Sequence, residues 1–284
     1  MTEKTVTSQK WYSSPAAQEY LVYLSVILLS SVLLISPVTF QLEVTTPTKD
    51  FVNRIRSIPQ GGVMLWDESS FVTGYYTQGQ ISLYKLFFDQ AKQRAVRIIF
   101  ISSCVDGPMA GAMINKQLEV QDTTGLKYGV NYVNLGWQPG FELVLSAIAK
   151  DIQTVTKADA YGTAISDLPM MKGLTTQNID LFAFNCGVSC DPWMRQWVPL
   201  GKPILMQGGY ALISQASGYI QSGSITAYLN GERGYVEMER MTGYISMRTA
   251  LFEATNIMGP YSIILVIVCN ISYMLQKRRK QRGQ

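Results

Sequence analysis

The stretch GQISLYKLFFDQAKQRAVRIIFISS, Gly79 to Ser103, decides the fold. Its first part carries Ile81, Tyr84, Phe88, Ala91 and Ala95 at helical spacing, with Lys92 and Arg94 near the end. Basic residues suit the carbonyl end of a helix. Its second part, Val96 to Ser103, is a run of β-branched and aromatic residues without polar alternation. A run of that kind predicts a strand covered on both faces. A helix leading straight into a buried strand is part of a β-α-β unit.

The pattern recurs on either side. GGVMLWD (Gly61–Asp67) reads as the strand before the helix. GPMAGAMINKQLEV reads as a helix entered through Pro108, a residue favoured in the first turn. VNYVNLGW (Val130–Trp137) is a strand, and PGFELVLSAIAKDIQTVTKA is a helix whose apolar face holds Leu143, Val144, Ala147, Ile148 and Ile152. IDLFAFNC (Ile179–Cys186) and KPILMQGG (Lys202–Gly209) are two more strands. They flank the short helix of DPWMRQWVPLG, with Asp191 as N-cap and Pro192 at the first helical position. The expected fold is an α/β domain with a doubly wound, mostly parallel sheet of about five strands, flavodoxin-like or Rossmann-like. After Gly209 the pattern weakens. Gly218, Gly223, Gly231, Gly234 and Gly243 predict helices interrupted at glycines.

Composition sets the context. Only 15% of the 284 residues are charged, against 47% hydrophobic. Two charge-free runs account for the deficit: Tyr20–Phe40 and Met258–Leu275. Each is long enough to cross a hydrocarbon core of about 30 Å. The alternatives are buried core helices and, for the first run, a cleaved signal peptide. Glu3 in the leading segment and the lack of a small-x-small site after the run favour a retained anchor. The tail QKRRKQRGQ places Lys277, Arg278, Arg279, Lys280 and Arg282 directly after the second run, a cytoplasmic marker. The expected organisation is an N-terminal cytoplasmic tail (1–19), a first span (20–40), an extracytoplasmic domain (41–257), a second span (258–275) and a basic cytoplasmic tail (276–284). Within this scheme, 41–59 is the descent from the first span.

Net charge is +4, but the five basic residues just named sit in the tail. The central domain is near neutral, so no nucleic-acid partner is expected. Membrane lipid is the expected surroundings. A protein partner, or a second copy contacted through the spans, is expected too. Asn270 is the expected helix-packing residue, because an unpaired amide in hydrocarbon is costly.

Parallel sheets bind ligands beyond the carboxyl ends of their strands. The loops at those ends supply Asp67, Glu68, Ser69, Ser70, Ser103, Asp106, Asn185 and Gln207 as candidate ligand-binding residues. Residues of these types also cap helices and make turns in any fold of this class. The chain has no histidine. Ser-His-Asp and Cys-His catalysis within one chain are therefore excluded, as are histidine-based zinc sites. No phosphate loop of the G-x-x-x-x-G-K-[ST] type is present, and no G-x-G-x-x-G follows a strand. No cofactor is expected. A divalent cation shared by Asp67 and Asp106 is the remaining metal option.

Three of the four cysteines, Cys104, Cys186 and Cys190, lie at or just after strand ends. An extracytoplasmic setting favours a disulfide, and the pairings Cys186–Cys190, Cys104–Cys186 and Cys104–Cys190 are all open. The functional expectation is a non-catalytic, membrane-anchored partner- or ligand-binding subunit of a membrane assembly. The alternative is an extracytoplasmic hydrolase or transferase using carboxylates at the sheet edge.

Overall fold

The strands predicted from apolar runs are all present, and a sixth joins them. The computed structural model describes residues 14–36, 42–69, 74–118 and 125–282. In chain order the elements are α1 (Pro15–Ile35), α2 (Thr46–Arg56), β1 (Val63–Asp67), α3 (Gly74–Arg94), β2 (Arg97–Ser102), α4 (Gly107–Leu118) and β3 (Tyr132–Trp137). Then follow α5 (Glu142–Lys150), β4 (Leu181–Cys186), α6 (Asp191–Trp197), β5 (Ile204–Gly208), α7 (Tyr210–Gln215) and α8 (Ser217–Gln221). The last are β6 (Ala227–Asn230), α9 (Gly231–Thr242) and α10 (Met247–Arg282). The chain divides into two compact units, residues 42–249 and residues 1–41 with 250–284.

In the 42–249 unit all six strands are parallel, in the order β3-β2-β1-β4-β5-β6. This is the order of Rossmann-type sheets, and it differs from the 2-1-3-4-5 order of flavodoxin-like ones. The strand direction of travel reverses between β1 and β4, so the crevice expected at such a switch lies at their carboxyl ends.

Pleating sends alternate residues to opposite layers. Val63, Leu65, Ile99, Ile101, Phe182 and Phe184 pack on α5 and α6 together with Trp193 and Trp197. Met64, Trp66, Ile98, Phe100 and Ala183 pack on α2, α3 and α9, with Phe51, Tyr84, Phe87 and Tyr235. Each large side chain fully buried in these layers contributes roughly 1.5–3 kcal/mol of transfer free energy.

Three expectations change. The 41–59 descent contains α2, whose Phe51, Val52 and Ile55 are buried. One turn carries Phe51 and Val52 and the next carries Ile55, which makes a short apolar stripe on an otherwise polar helix. The glycine-rich region after Gly209 holds the edge strand β6 among its helices. Its four residues alternate buried and half-buried, and Leu205↔Ala227 to Gly208↔Asn230 pairing onto β5 makes it a strand. The helix after β3 stops at Lys150, well short of the periodic run. Asp151 adopts an extended conformation (φ −161°, ψ 114°), and its carboxylate accepts from the Gln153 N–H to cap a short 3₁₀ turn.

Helix α9 ties the beginning and end of this unit together through buried carboxylates. Glu237, 1% exposed, accepts from the Thr45 N–H (3.0 Å), the Thr45 hydroxyl (2.6 Å), the Thr48 hydroxyl (2.7 Å) and Arg233 Nε (2.7 Å). Burial pushes its carboxyl up, but hydrogen bonds from Thr45, Arg233 and Thr48 outweigh that and hold it below its ordinary value of 4.5. A depressed folded-state pKa means stability that is present above the ordinary value and lost as pH falls through the folded one. The stability gap between wild type and Glu237→Gln is therefore expected to shrink as pH drops from 7 through 4. Urea unfolding followed by tryptophan emission across that range reads it, and a gap independent of pH would refute the assignment.

In the other unit, α1 and α10 contain apolar segments, Ala17–Ile35 and Met247–Leu275, long and apolar enough to cross a membrane. The helix of the first starts at Pro15, before the charge-free run, and ends at Ile35. Residues 37–41 lie outside the described residues. The second helix begins at Met247, ahead of the apolar run, and passes through Pro260 without ending. The hydroxyl of Tyr261 donates to Ser25 Oγ at 2.7 Å, an interhelical hydrogen bond. Asn270 donates to the Val266 carbonyl of its own helix (2.9 Å) and is exposed in the described structure. That bond takes up one of the two amide protons of the side chain.

Candidate functional site

The loop residues at the carboxyl edge of the sheet converge, but they converge on two separate carboxylates. Asp67 ends β1, and Glu68 follows it. Successive strand residues point to opposite faces, so the two acids enter different layers.

Asp67 enters the layer of α5 and α6 and is fully buried. Its Oδ1 accepts from the Ser103 N–H (2.9 Å) and the Ser69 hydroxyl (2.9 Å). Its Oδ2 accepts from Trp193 Nε1 (2.7 Å) and the Ser103 hydroxyl (2.8 Å). The indole of Trp193 is itself stacked on Phe184, with ring centroids 4.8 Å apart and planes 5° from parallel. Burial pushes the Asp67 carboxyl above its ordinary value, against the pull of the Ser103 amide, Trp193, Ser103 and Ser69. Two carboxylate oxygens offer about four acceptor positions, and these four donors fill them.

Glu68 enters the layer of α3 and α9 and is 2% exposed. Its Oε2 accepts from Trp66 Nε1 (2.9 Å) and the Tyr84 hydroxyl (3.0 Å), and its Oε1 accepts from Asn185 Nδ2 (3.2 Å). The last bond bridges β1 and β4 across the switch point. Burial and the Glu68 charge push the Tyr84 phenol well above its ordinary value, so it remains a donor. Gln207 is buried on β5, in register beside Asn185. Tyr235 Oη and Gln80 Oε1 are buried in the described structure without a hydrogen-bond partner. Tyr235 lies within electrostatic reach of Glu68 and Arg248.

The rest of the edge is closely packed. Ser102 donates to the Glu68 carbonyl (2.7 Å). Gly107, which opens α4, approaches so closely that a Cβ there would meet that carbonyl and the Ser102 hydroxyl. Close backbone packing thus accounts for Gly107 in the turn GPMAG.

The cation reading of Asp67 with Asp106 does not fit. Asp106 is half-buried in the turn before α4 and is not among the four partners of Asp67, whose acceptor positions are taken. No group of three or more His, Cys, Asp or Glu side chains suited to a metal occurs among the described residues. Ser70 lies outside the described residues, as does the side chain of Cys186. Cys104 and Cys190 are free thiols. Each of the three disulfide pairings includes one of them, so none is formed in this structure. Burial, with Asp191 beside it, pushes the Cys190 thiol up, which keeps it protonated and unreactive.

Sequence reasoning did not anticipate Trp66, Tyr84 and Trp193 as partners of the two acids, nor the acidic cluster of α9. Beyond Glu237, that helix carries Glu239, fully buried, which accepts from the hydroxyls of Ser82, Ser246 and Thr249 and from the Ser246 N–H (3.0 Å). It also carries Glu232, which pairs through both oxygens with the buried Arg248. The Arg248 guanidinium lies 4.3 Å from the centre of the Tyr235 ring. The signal in the sequence was the run GERGYVEMER, whose Glu232, Tyr235 and Glu239 recur at helical spacing. Neither a comparison with protein-family models nor one with curated proteins finds a match for this chain.

Proposed function

We infer that the chain is a membrane-anchored α/β domain that binds a partner or ligand without catalysing a reaction, as a subunit of a membrane assembly. One observation carries this reading. The two acids at the switch point, Asp67 and Glu68, are buried and engaged by the protein's own donors. A general base or nucleophile must reach the atom it attacks, and these carboxylates are held away from any such atom. The absence of histidine removes the commonest substitute. Two apolar helices and the basic run Lys277–Lys280 support an arrangement with both termini cytoplasmic and residues 42–249 outside.

Native mass spectrometry of the full chain released from its own membrane in mild detergent tests the binding role. A species of fixed stoichiometry, heavier than the 31.7 kDa chain, is expected. A bare monomer with neither protein nor small molecule attached would overturn the reading. Protease added to sealed, right-side-out cells is expected to cut between residues 42 and 249 and to spare the basic tail.

A further inference from the structure

We propose that the carboxyl edge of the sheet rests on a lipid surface, through a rim of exposed apolar side chains. This inference rests on the membrane anchoring inferred above.

The rim is defined by topology. Val105 lies in the turn after β2 and Met109 in the first turn of α4. Trp137 ends β3, and Leu143 is at the start of α5. Val188 follows β4, and Tyr210 opens α7 after β5. All six therefore stand at the carboxyl edge, and they are 45–79% exposed. They come from four strand-to-helix connections, Val105 and Met109 sharing the one after β2 and Trp137 and Leu143 the one after β3, rather than from one helix face. The opposite edge differs in kind. Arg54 and Arg56 end α2, Lys92 is in the last turn of α3, and Lys127 leads towards β3; all four are exposed there. The unit is thus polarised, richer in exposed apolar side chains at one end of its strands, although Val130 and Val198 are exposed at the other, and richer in basic ones there.

Chain connectivity selects lipid as the occupant. The unit's last residues leave at the apolar edge. Arg248 pairs with Glu232 in the first turn of α9, which starts where β6 ends, and it packs against Gly79 early in α3, which follows β1. Its first residues begin away from the basic edge. The end of α2 meets the end of α3, where Arg94 donates to the Arg56 carbonyl, so Thr45 stands at the far end of α2, held by Glu237. Ile245 and Met247, among the last residues of the unit, are exposed as well. Trp and Tyr are the residues enriched where protein meets the lipid headgroup layer. Among the rim's charges, Glu142 and Arg195 form an exposed bidentate pair that cancels. Asp106 and Asp191 add negative charge. The rim therefore suits zwitterionic lipid rather than anionic lipid.

Tryptophan emission provides the test. Trp66, Trp193 and Trp197 are fully buried in the domain, so the difference between wild type and Trp137→Phe isolates the rim. The full chain is reconstituted into phosphatidylcholine vesicles, with and without bromine on the acyl chains near the headgroup. Brominated lipid is expected to lower the Trp137 component about twofold, as for a side chain at interfacial depth, and aqueous acrylamide is expected to leave it largely unquenched. Trp137 quenched by acrylamide and insensitive to bromine would overturn the proposal. Protection from both quenchers would overturn it too, and would point to a second copy or another protein covering the rim. Alkaline carbonate extraction separates the two readings. A chain that stays in the vesicles while Trp137 ignores bromine refutes the rim alone; a chain that washes out refutes anchoring and rim together.

Discussion

Asp67→Asn is expected to destabilise the 42–249 unit by about 2–4 kcal/mol, a large share of a domain's stability. The substitution is nearly isosteric, so packing does not explain the loss. The reason lies in how the donors are distributed. Each oxygen of Asp67 faces one hydroxyl and one N–H: Ser69 and the Ser103 amide on Oδ1, Ser103 and Trp193 Nε1 on Oδ2. A hydroxyl can rotate and accept, but an amide or indole N–H cannot. Whichever way the asparagine amide is turned, its NH₂ group meets a buried N–H donor. Burial pushes the Asp67 pKa up, and the hydrogen bonds from the Ser103 amide, Trp193 and the Ser103 and Ser69 hydroxyls oppose that push without cancelling it. A raised folded-state pKa means the buried charge costs stability at neutral pH, and this cost is relieved as pH falls through the folded-state value. The asparagine variant should lose that pH dependence along with its stability. Urea unfolding in detergent, followed by tryptophan emission, measures both. A change below about 0.5 kcal/mol, the size of an ordinary surface substitution, would mean that these donors do not hold the fold and are available to something else.

Gly79→Ala should cost about 3 kcal/mol or more, because it strikes a buried ion pair and a packed wall together. A methyl group there would occupy the position of the Arg248 guanidinium. Arg248 has little room to retreat: it is 1% exposed, paired with Glu232 and set over Tyr235. Displacing it leaves Glu232 without its partner and removes a cation–π contact. Gly111→Ala is the matched control, since its methyl would find only the Tyr84 hydroxyl at 3.6 Å, an ordinary contact. Within helix α4 that change should be neutral or stabilise by about 0.5–1 kcal/mol through helix propensity. Thermal unfolding of the pair separates a steric origin from a general glycine effect: equal losses in both variants would refute the Arg248 explanation.

The sequence spelled out β1 to β5 because doubly covered strands are continuous apolar runs, and nothing about their partners is needed to see them. Edge strand β6 was hidden because a four-residue strand, covered less fully, carries too little hydrophobic signal; its identity comes from pairing with β5. Helix α2 was hidden for a related reason. Phe51, Val52 and Ile55 cover only two turns, and they become meaningful once β6 and α9 lie beneath them.

The candidate edge residues were legible for a different reason. Strand direction alone places Asp67, Glu68, Ser103, Asn185 and Gln207 at one end of a parallel sheet. Their division into two networks was not legible. It depends on which layer each side chain enters and on aromatic partners far away in the chain: Asp67 meets Trp193, and Glu68 meets Tyr84. An acid that reads as a free ligand in a list of loop residues turns out to have its acceptor positions filled by Trp, Ser and backbone donors.

By itself, then, the sequence determined the α/β class, the two apolar helices, the exclusion of histidine chemistry and the set of residues at the strand ends. These are properties of local periodicity and composition, which the chain carries wherever it folds. The tertiary structure alone decided the strand order, the pairing of each carboxylate, the open state of Cys104 and Cys190, and the clasp of α9 on Thr45 and Arg248. Those depend on contacts between residues distant in sequence, where burial forces every polar group to find a partner and no local pattern records which partner it will be.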